Sequence, residues 1–204
     1  MEIMATINFD YLQDSQTFSD QKEAADRLVK LYLIDDARDV ILNSRLFLET
    51  TIKKVFNLEN LDKYYPLKEG ERRNLRNDTQ YLREKLDFPL VIFNLMDEVR
   101  RMGNDAAHDP NYKFTNNQAW HCLMDVHDIL VFLINSYENQ NLAYMRPDIA
   151  MDAAENKNDR FRKRQKSQTK TDLKTENVNM AKEVLAHKKK KRGFKSRIKH
   201  LFKH

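Results

Sequence analysis

A stripe of apolar and small side chains through residues 36–56 constrains the fold of this chain more than any other feature. Its members are spaced three and four residues apart over five turns, which places them on one face of an α-helix. They are Val40, Ile41, Ser44, Phe47, Leu48, Thr51, Ile52, Val55 and Phe56. The pattern predicts a helix over residues 36–56 that buries this face.

Glycine and proline are scarce, with 3 glycines and 4 prolines in 204 residues. β-Proteins need many turns, so this scarcity indicates an all-α fold. Further helices are predicted over residues 19–33, 79–86, 87–108 and 115–137, with Ser19, Asp87 and a Thr115/Gln118 capping box as N-terminal signals. The expected architecture is a helical bundle of about five helices, with a short extra helix over residues 146–154.

The apolar spacing also predicts which side chains of the other helices face the core. The inward set is Ala24, Ala25, Leu28, Val29 and Tyr32, then Leu90, Val91, Leu95, Met96, Val99 and Met102, then Trp120, Leu123, Met124, His127 or Leu130, Leu133 and Ile134.

The net charge of +5 combines two regions of opposite sign. Residues 1–156 carry 27 Asp and Glu against 18 Lys and Arg, whereas residues 157–204 carry 18 Lys and Arg against 4 Asp and Glu. We divide the chain into a helical domain (1–141), a polar linker (142–176) and a basic tail (177–204). The tail is expected to be partly helical or disordered and has the charge of a polyanion binder.

The end of the tail has the pattern of a short basic amphipathic helix. Its apolar residues Phe194, Ile198, Leu201 and Phe202 lie at i, i+4, i+7 and i+8. Nucleic-acid binding is the first interpretation, because phosphate contacts need only clustered cations, and it should be non-specific. The predicted contacts are Lys188, Lys189, Lys190, Lys191, Arg192, Lys195, Arg197 and Lys199. Binding to an anionic membrane surface is the second interpretation.

Several classes of chemistry find no support in the sequence. The single cysteine, Cys122, excludes an internal disulfide and a Cys-rich zinc site, and it is predicted to be a small buried thiol. No Gly-rich phosphate loop occurs, so no nucleotide cofactor is expected. No metal is expected either, because His121 and His127 fall on different faces of their helix and no other ligand cluster occurs. No signal peptide and no apolar run of about 18 residues is present, so a cytoplasmic location is expected.

Residues 100–109, with the sequence RRMGNDAAHD, form the most chemically suggestive segment. Arg101, Asn104 and His108 fall at i, i+3 and i+7, on one stripe of a helix that persists that far. The small residues Gly103, Ala106 and Ala107 would allow another backbone to approach closely. An arginine that grips a phosphate beside a histidine that moves a proton would make a phosphodiester site.

The same segment resembles the R-x-x-G-N-x-A-x-H signature of the helical domain at the N-terminus of type I restriction endonuclease R subunits. That domain is grouped with the HEPN (higher eukaryotes and prokaryotes nucleotide-binding) superfamily. Residues 8–12 resemble the opening N-F-x-[FY]-L of the family. Asp35-Asp36 with residues 45–49 resemble its D-P-x…R-x-F-x-E helix. The likeness covers roughly residues 5–138, and the tail has no counterpart.

The resemblance implies a HEPN-like homodimer in a restriction, defence or mobile-element setting. Active HEPN ribonucleases are similar in using an Arg-x(4–6)-His motif at the dimer interface to cut RNA without metal, by attack of the 2′-hydroxyl. Arg100 occupies the family position but leaves seven residues before His108, while Arg101 leaves six. Arg100, Arg101, Asn104 and His108 are therefore the candidate catalytic residues.

Arg45 and Glu49 are the candidate supporting residues. They are four residues apart and can pair on their own helix, or Glu49 can orient Arg100 or Arg101. In the structural alternative, Asn104 and His108 close the helix C-terminus and one arginine pairs with Glu49. Three functions remain open: a nucleic-acid-associated module, a metal-independent ribonuclease, and an adaptor that binds a membrane surface or a partner.

Overall fold

The computed structural model describes residues 7–65, 67, 70, 72–138 and 140–154. This part of the chain is all-α and contains no strand, as predicted. Its α-helices are α1 (Lys22–Leu33), α2 (Ala37–Glu59), α3 (Leu75–Lys85), α4 (Leu90–His108), α5 (Asn116–Tyr137) and α6 (Pro147–Ala154). Short 3-10 turns occupy Asp10–Leu12, Ser19–Gln21 and Leu61–Lys63. The predicted basic tail and residues 155–176 of the predicted linker lie outside the described residues.

Helix α2 is the central element of the bundle and packs against α1, α4 and α5. The Asp36 carboxylate caps it by accepting a hydrogen bond from the Asp39 N–H at 3.1 Å. Asn60 ends it in the left-handed conformation, with φ of 53°. All nine side chains of the predicted stripe are buried, so the helical period of the sequence identified this face correctly.

Helix α5 begins and ends where the sequence predicted. Thr115 and Gln118 form the predicted reciprocal capping box, which fixes the first turn. Side chains on every face of the helix are buried from Asp125 to Tyr137, because α1, α2 and α4 pack around it. Trp120 is only partly buried and lies 5.6 Å from the Tyr32 ring, measured between ring centroids.

The start of α4 differs from the prediction. Asp87 is not its N-cap: Asp87 has a φ of +52°, and Pro89 precedes the helix without a side-chain cap. Phe88 is fully buried and packs edge-on against Phe132 at 5.3 Å. Burying Phe88 turns the chain sharply at Asp87, and Leu90, predicted to be buried, is left 58% exposed.

The start of α1 also differs. Ser19 begins a 3-10 turn instead of capping the α-helix, and α1 follows from Lys22. The turn is held by the fully buried Phe18 and by Gln21, whose side-chain oxygen accepts a hydrogen bond from Thr51 Oγ1 at 2.9 Å. This tighter winding shifts the phase of the following helix. Ala24, predicted to face inward, is exposed.

Helix α3 begins earlier than predicted, at Leu75. The Asn74 side chain caps it by accepting a hydrogen bond from the Asn77 N–H at 2.9 Å.

The segment after α5 packs on the helical domain beyond residue 141. Asn135 holds both backbone groups of Leu142, donating to its carbonyl at 3.0 Å and accepting from its N–H at 2.8 Å. Ile149 of α6 is buried against the core. Residues 142–154, predicted as the start of a polar linker, are thus part of the packed unit.

None of the helices in the described part of the chain combines the length and apolar character needed to cross a bilayer.

Candidate functional site on helix α4

Helix α4 continues through all three residues of the predicted polar stripe, from Arg101 to His108. The helix persists to His108 and ends there because Asp109 is extended, with φ of −105° and ψ of 95°, and Pro110 follows. Arg101, Asn104 and His108 therefore share one helical stripe, as the sequence required for a site of this kind.

The two candidate arginines differ in exposure. The Arg101 side chain is 66% exposed, whereas that of Arg100 is 16% exposed. His108 is exposed and Asn104 is partly buried. The arginine that shares the solvent-facing stripe with His108 is therefore Arg101, and not Arg100.

A single carboxylate, Asp97, holds both arginines. Arg100 donates to Asp97 Oδ1 from Nε at 3.0 Å and from Nη2 at 2.6 Å. Arg101 Nε lies 3.0 Å from Asp97 Oδ2. The exposed half of this arrangement is an i,i+4 ion pair of the kind that contributes only about 0–1 kcal/mol. An anionic ligand can thus displace Asp97 from Arg101 at little cost.

Of the two pairings predicted for Glu49, the structure has the one with Arg45 on its own helix, and not the one with Arg100 or Arg101. Glu49 lies 3.9 Å from Arg45 Nη1 and 2.9 Å from Lys53 Nζ, both on α2. The sequence did carry a signal for the observed partner, because Asp97 precedes the two arginines by three and four residues, the spacing at which helical ion pairs form.

At Gly103, helix α4 approaches α2 closely. A Cβ built on Gly103 would overlap the Cβ of Arg45 and lie 2.8 Å from its Cδ. Gly103 and Ala106 are buried, as a close approach requires, but Ala107 faces solvent. Gly103 and Ala106 thus serve the packing of α4 on the rest of the bundle, with the stem of Arg45 against Gly103.

Replacing Gly103 with alanine should lower the free energy of unfolding by about 1–3 kcal/mol, the usual cost of overpacking. Alanine favours a helix by about 1 kcal/mol over glycine, but the overlap involves a Cβ that cannot rotate away. Urea denaturation of the full chain measures the change, with Ala107→Ser on the exposed side of α4 as control. A Gly103→Ala protein more stable than wild type would contradict the close approach.

Arg38, which the sequence did not single out, closes the C-terminus of α4. Its Nη2 donates to the carbonyls of Ala106 at 2.6 Å and Asp109 at 2.8 Å. Its Nη1 reaches the carbonyls of Pro110 and Tyr112 at 3.5 Å. A cation at this end of a helix also complements the macrodipole. Arg38 therefore supports the turn that carries His108, the role that the structural alternative gave to Asn104 and His108.

A second polar cluster is buried between α5 and the segment before α6. Asp128 is fully buried and accepts hydrogen bonds from the Met145 N–H at 2.8 Å and from Arg146 Nε at 2.9 Å. Arg146 Nη2 lies 2.8 Å from Asp125 Oδ1. That contact is ionic without hydrogen-bond alignment, so both Asp125 oxygens lack a hydrogen bond within the described residues.

Burial controls the ionisation of Asp125. Desolvation raises its pKa to about 7, the attraction of Arg146 partly offsets this, and the negative charges of Glu98 and Asp128 add to it. Arg146 contacts both buried carboxylates, Asp125 and Asp128. The three side chains therefore carry a net charge of −1 when both carboxylates are ionised. We interpret the cluster as the anchor of residues 142–154, and not as a site open to ligands.

His127 and Cys122, both on α5, belong to the core. The His127 ring packs edge-on against Tyr11 at 5.4 Å, and its Nδ1 is 3.3 Å from Asp128 Oδ1. Cys122 is fully buried, and burial raises the pKa of its thiol to about 12. The prediction of a small buried thiol is confirmed.

No protein-family model, curated protein or solved structure matches this chain. The class that the structure itself defines is an all-α helical bundle, with a solvent-facing Arg–Asn–His stripe on α4.

Proposed function

We propose that this protein is a nucleic-acid-associated binding or assembly module with a HEPN-like helical domain, acting in the cytoplasm in a restriction, defence or mobile-element context. The observation that carries the proposal is the division of charge, with 18 Lys and Arg against 4 Asp and Glu in residues 157–204 and an acidic helical part before them. Clustered cations release counterions from a phosphate backbone, which drives binding without reading sequence.

The helical domain contributes assembly in this proposal, and a homodimer follows from the family likeness. Helix α4 is where the likeness would place the dimer interface, because the Arg-x(4–6)-His motif of active family members lies at theirs and the solvent-facing Arg101 and His108 lie on this helix. Ion-paired Arg101 offers an added phosphate contact at low cost, because the pair with Asp97 is exposed.

Changing Lys188, Lys189, Lys190, Lys191 and Arg192 to glutamine in the full chain should weaken binding to RNA and DNA at least about tenfold at low salt. The plot of log affinity against log salt should become shallower as phosphate contacts are lost. Fluorescence anisotropy with a mixed-sequence oligonucleotide measures both.

The matched control changes five exposed cations of the helical part to glutamine: Arg27, Lys30, Arg72, Arg76 and Lys85. Equal losses in the two variants, or an unchanged salt slope in the tail variant, would contradict polyanion binding by the tail. Co-flotation with anionic vesicles, lost only in the tail variant and without any loss of nucleic-acid affinity, would favour the membrane adaptor instead.

A metal-independent ribonuclease is the second candidate function, favoured by one observation. Helix α4 persists to His108, so Arg101, Asn104 and His108 lie on one accessible stripe. In this reaction the 2′-hydroxyl oxygen attacks the neighbouring phosphorus and the 5′-oxygen leaves. His108 takes the hydroxyl proton, Arg101 holds the non-bridging oxygens, and the leaving oxygen takes a proton from water.

Replacing His108 with alanine should reduce EDTA-resistant cleavage of structured RNA by about 10²-fold or more, since a general base contributes at least that much. His121→Ala is the matched control, because His121 is an exposed histidine on α5. Cleavage that survives in His108→Ala would exclude this site. RNA left intact by the wild-type protein would leave the binding module without chemistry.

A further inference from the structure

The turn between α4 and α5 is built around the residue that follows His108. The Asp109 carboxylate oxygen Oδ1 accepts hydrogen bonds from the N–H groups of Asn111 at 3.0 Å and Tyr112 at 3.2 Å. The Arg38 guanidinium spans the same turn, from the carbonyl of Ala106 to that of Tyr112. The backbone of Tyr112 is therefore tied to the end of the candidate stripe.

The Tyr112 side chain is held from two directions while staying open to solvent. Its hydroxyl accepts a hydrogen bond from Gln118 Nε2 at 3.0 Å, and its ring lies 4.6 Å from the Phe114 ring, tilted by 57°. Gln118 is itself fixed, because its Oε1 accepts from the Thr115 N–H at 2.9 Å in the capping box. Tyr112 as a whole nevertheless remains 45% exposed.

A fixed, half-exposed aromatic ring is the kind of surface on which nucleobases stack. Every base has a π-face, so stacking on a side chain of this kind tolerates any sequence but needs an unpaired base. Preorganisation matters here, because a ring already held by Gln118 and Phe114 loses little conformational freedom when a base covers it.

The charges around the turn favour a single strand over a duplex. Asp105 and Asp109 are exposed beside His108. They repel a duplex more strongly than a single strand, because its two backbones carry about twice the phosphate charge per unit length. A single strand can place one phosphate toward Arg101 and His108 and turn its base toward Tyr112. Lys113, exposed next to Tyr112, offers a contact for the following phosphate.

We propose that Tyr112 is a stacking platform for an unpaired base of a single-stranded nucleic acid bound along the α4 stripe. This inference rests on the proposed nucleic-acid function and narrows its ligand to single strands or unpaired loops.

The test compares full-chain variants by fluorescence anisotropy at physiological salt, with a mixed-sequence single-stranded RNA and with the same RNA annealed to its complement. Tyr112→Ala should weaken single-strand binding about tenfold, within the range that base–aromatic stacking supports, and leave duplex binding unchanged. Tyr112→Phe keeps the ring and should bind within about twofold of wild type. Tyr64→Ala removes another exposed tyrosine, 65% exposed in a different loop, and should have no effect.

Equal losses on single-stranded and duplex RNA, or no loss in Tyr112→Ala, would overturn the platform while leaving the nucleic-acid function intact. A wild-type protein that binds neither RNA would overturn the proposed function, and the platform with it. Light scattering separates one further case: a Tyr112→Ala protein with an altered oligomeric state would identify the turn as a contact between copies of the chain and overturn the platform.

Discussion

Replacing Asp128 with alanine is expected to lower the free energy of unfolding by about 3–5 kcal/mol, the cost of breaking a buried charge pair by removing one partner. Asp128 is fully buried, and its two oxygens accept hydrogen bonds from Met145 and Arg146. The substitution leaves the part-buried Met145 N–H without its acceptor. Among the residues that the structure describes, Asp125 is then the remaining carboxylate in contact with Arg146, and that contact is unaligned.

Urea denaturation of the full chain measures this loss, and Asp152→Ala provides the control. Asp152 lies on α6, the helix that follows the segment held by Asp128, and its side chain is exposed. Replacing it should change the free energy of unfolding by no more than about 0.5 kcal/mol. Hydrogen exchange should also speed up in residues 142–154 of the Asp128→Ala protein. A loss of less than about 1 kcal/mol would mean that Asp128 does not anchor this segment.

Local patterns predicted the helices well because local physics forms them. The stripe on α2 is set by the helical period, and the capping box on α5 by side chains three residues apart. The same holds for the end of α4, which Pro110 enforces. Each of these features lies within a few residues of the element that it defines.

The errors arise where a distant contact overrides a local preference. Asp87 is an acceptable cap residue, but burying Phe88 against Phe132 of α5 places Asp87 in the left-handed region. Ser19 fails for a similar reason, since Gln21 is held by Thr51 of α2. Nothing within a single sequence reports those partners.

The candidate site divides in the same way. The alignment of Arg101 and His108 on one face follows from spacing, and so does the ion pair with Asp97. The Arg38 contacts with the end of α4 join residues about seventy positions apart. Arg146, which lies outside α5, donates a hydrogen bond to Asp128 of that helix. These contacts could not be predicted from the sequence, because the fold brings the residues together.

Stability should fall as pH rises through the range in which Asp125 loses its proton. Its pKa is raised by burial to about 7, well above the value of 3.8 for an exposed aspartate. Between these values the folded protein holds a proton that the unfolded chain has released, so raising the pH favours unfolding. The contribution grows from about pH 4 to about pH 7 and reaches up to about 4 kcal/mol.

Asp125→Asn isolates this contribution because asparagine resembles the protonated acid in shape and charge. Near pH 4 the variant should be about as stable as wild type, and near pH 8 it should be more stable by up to about 4 kcal/mol. If the attraction between Arg146 and the Asp125 carboxylate outweighed the desolvation of that carboxylate, the substitution would instead lower the free energy of unfolding. Attraction loses in this site, because Arg146 already satisfies Asp128 and, within the described part of the chain, the Asp125 oxygens lack aligned donors. Urea denaturation of both proteins at a series of pH values shows whether the substitution stabilises or destabilises the protein. An equal pH dependence in wild type and variant would contradict the raised pKa, because it would mean that Asp125 is already ionised in the folded protein.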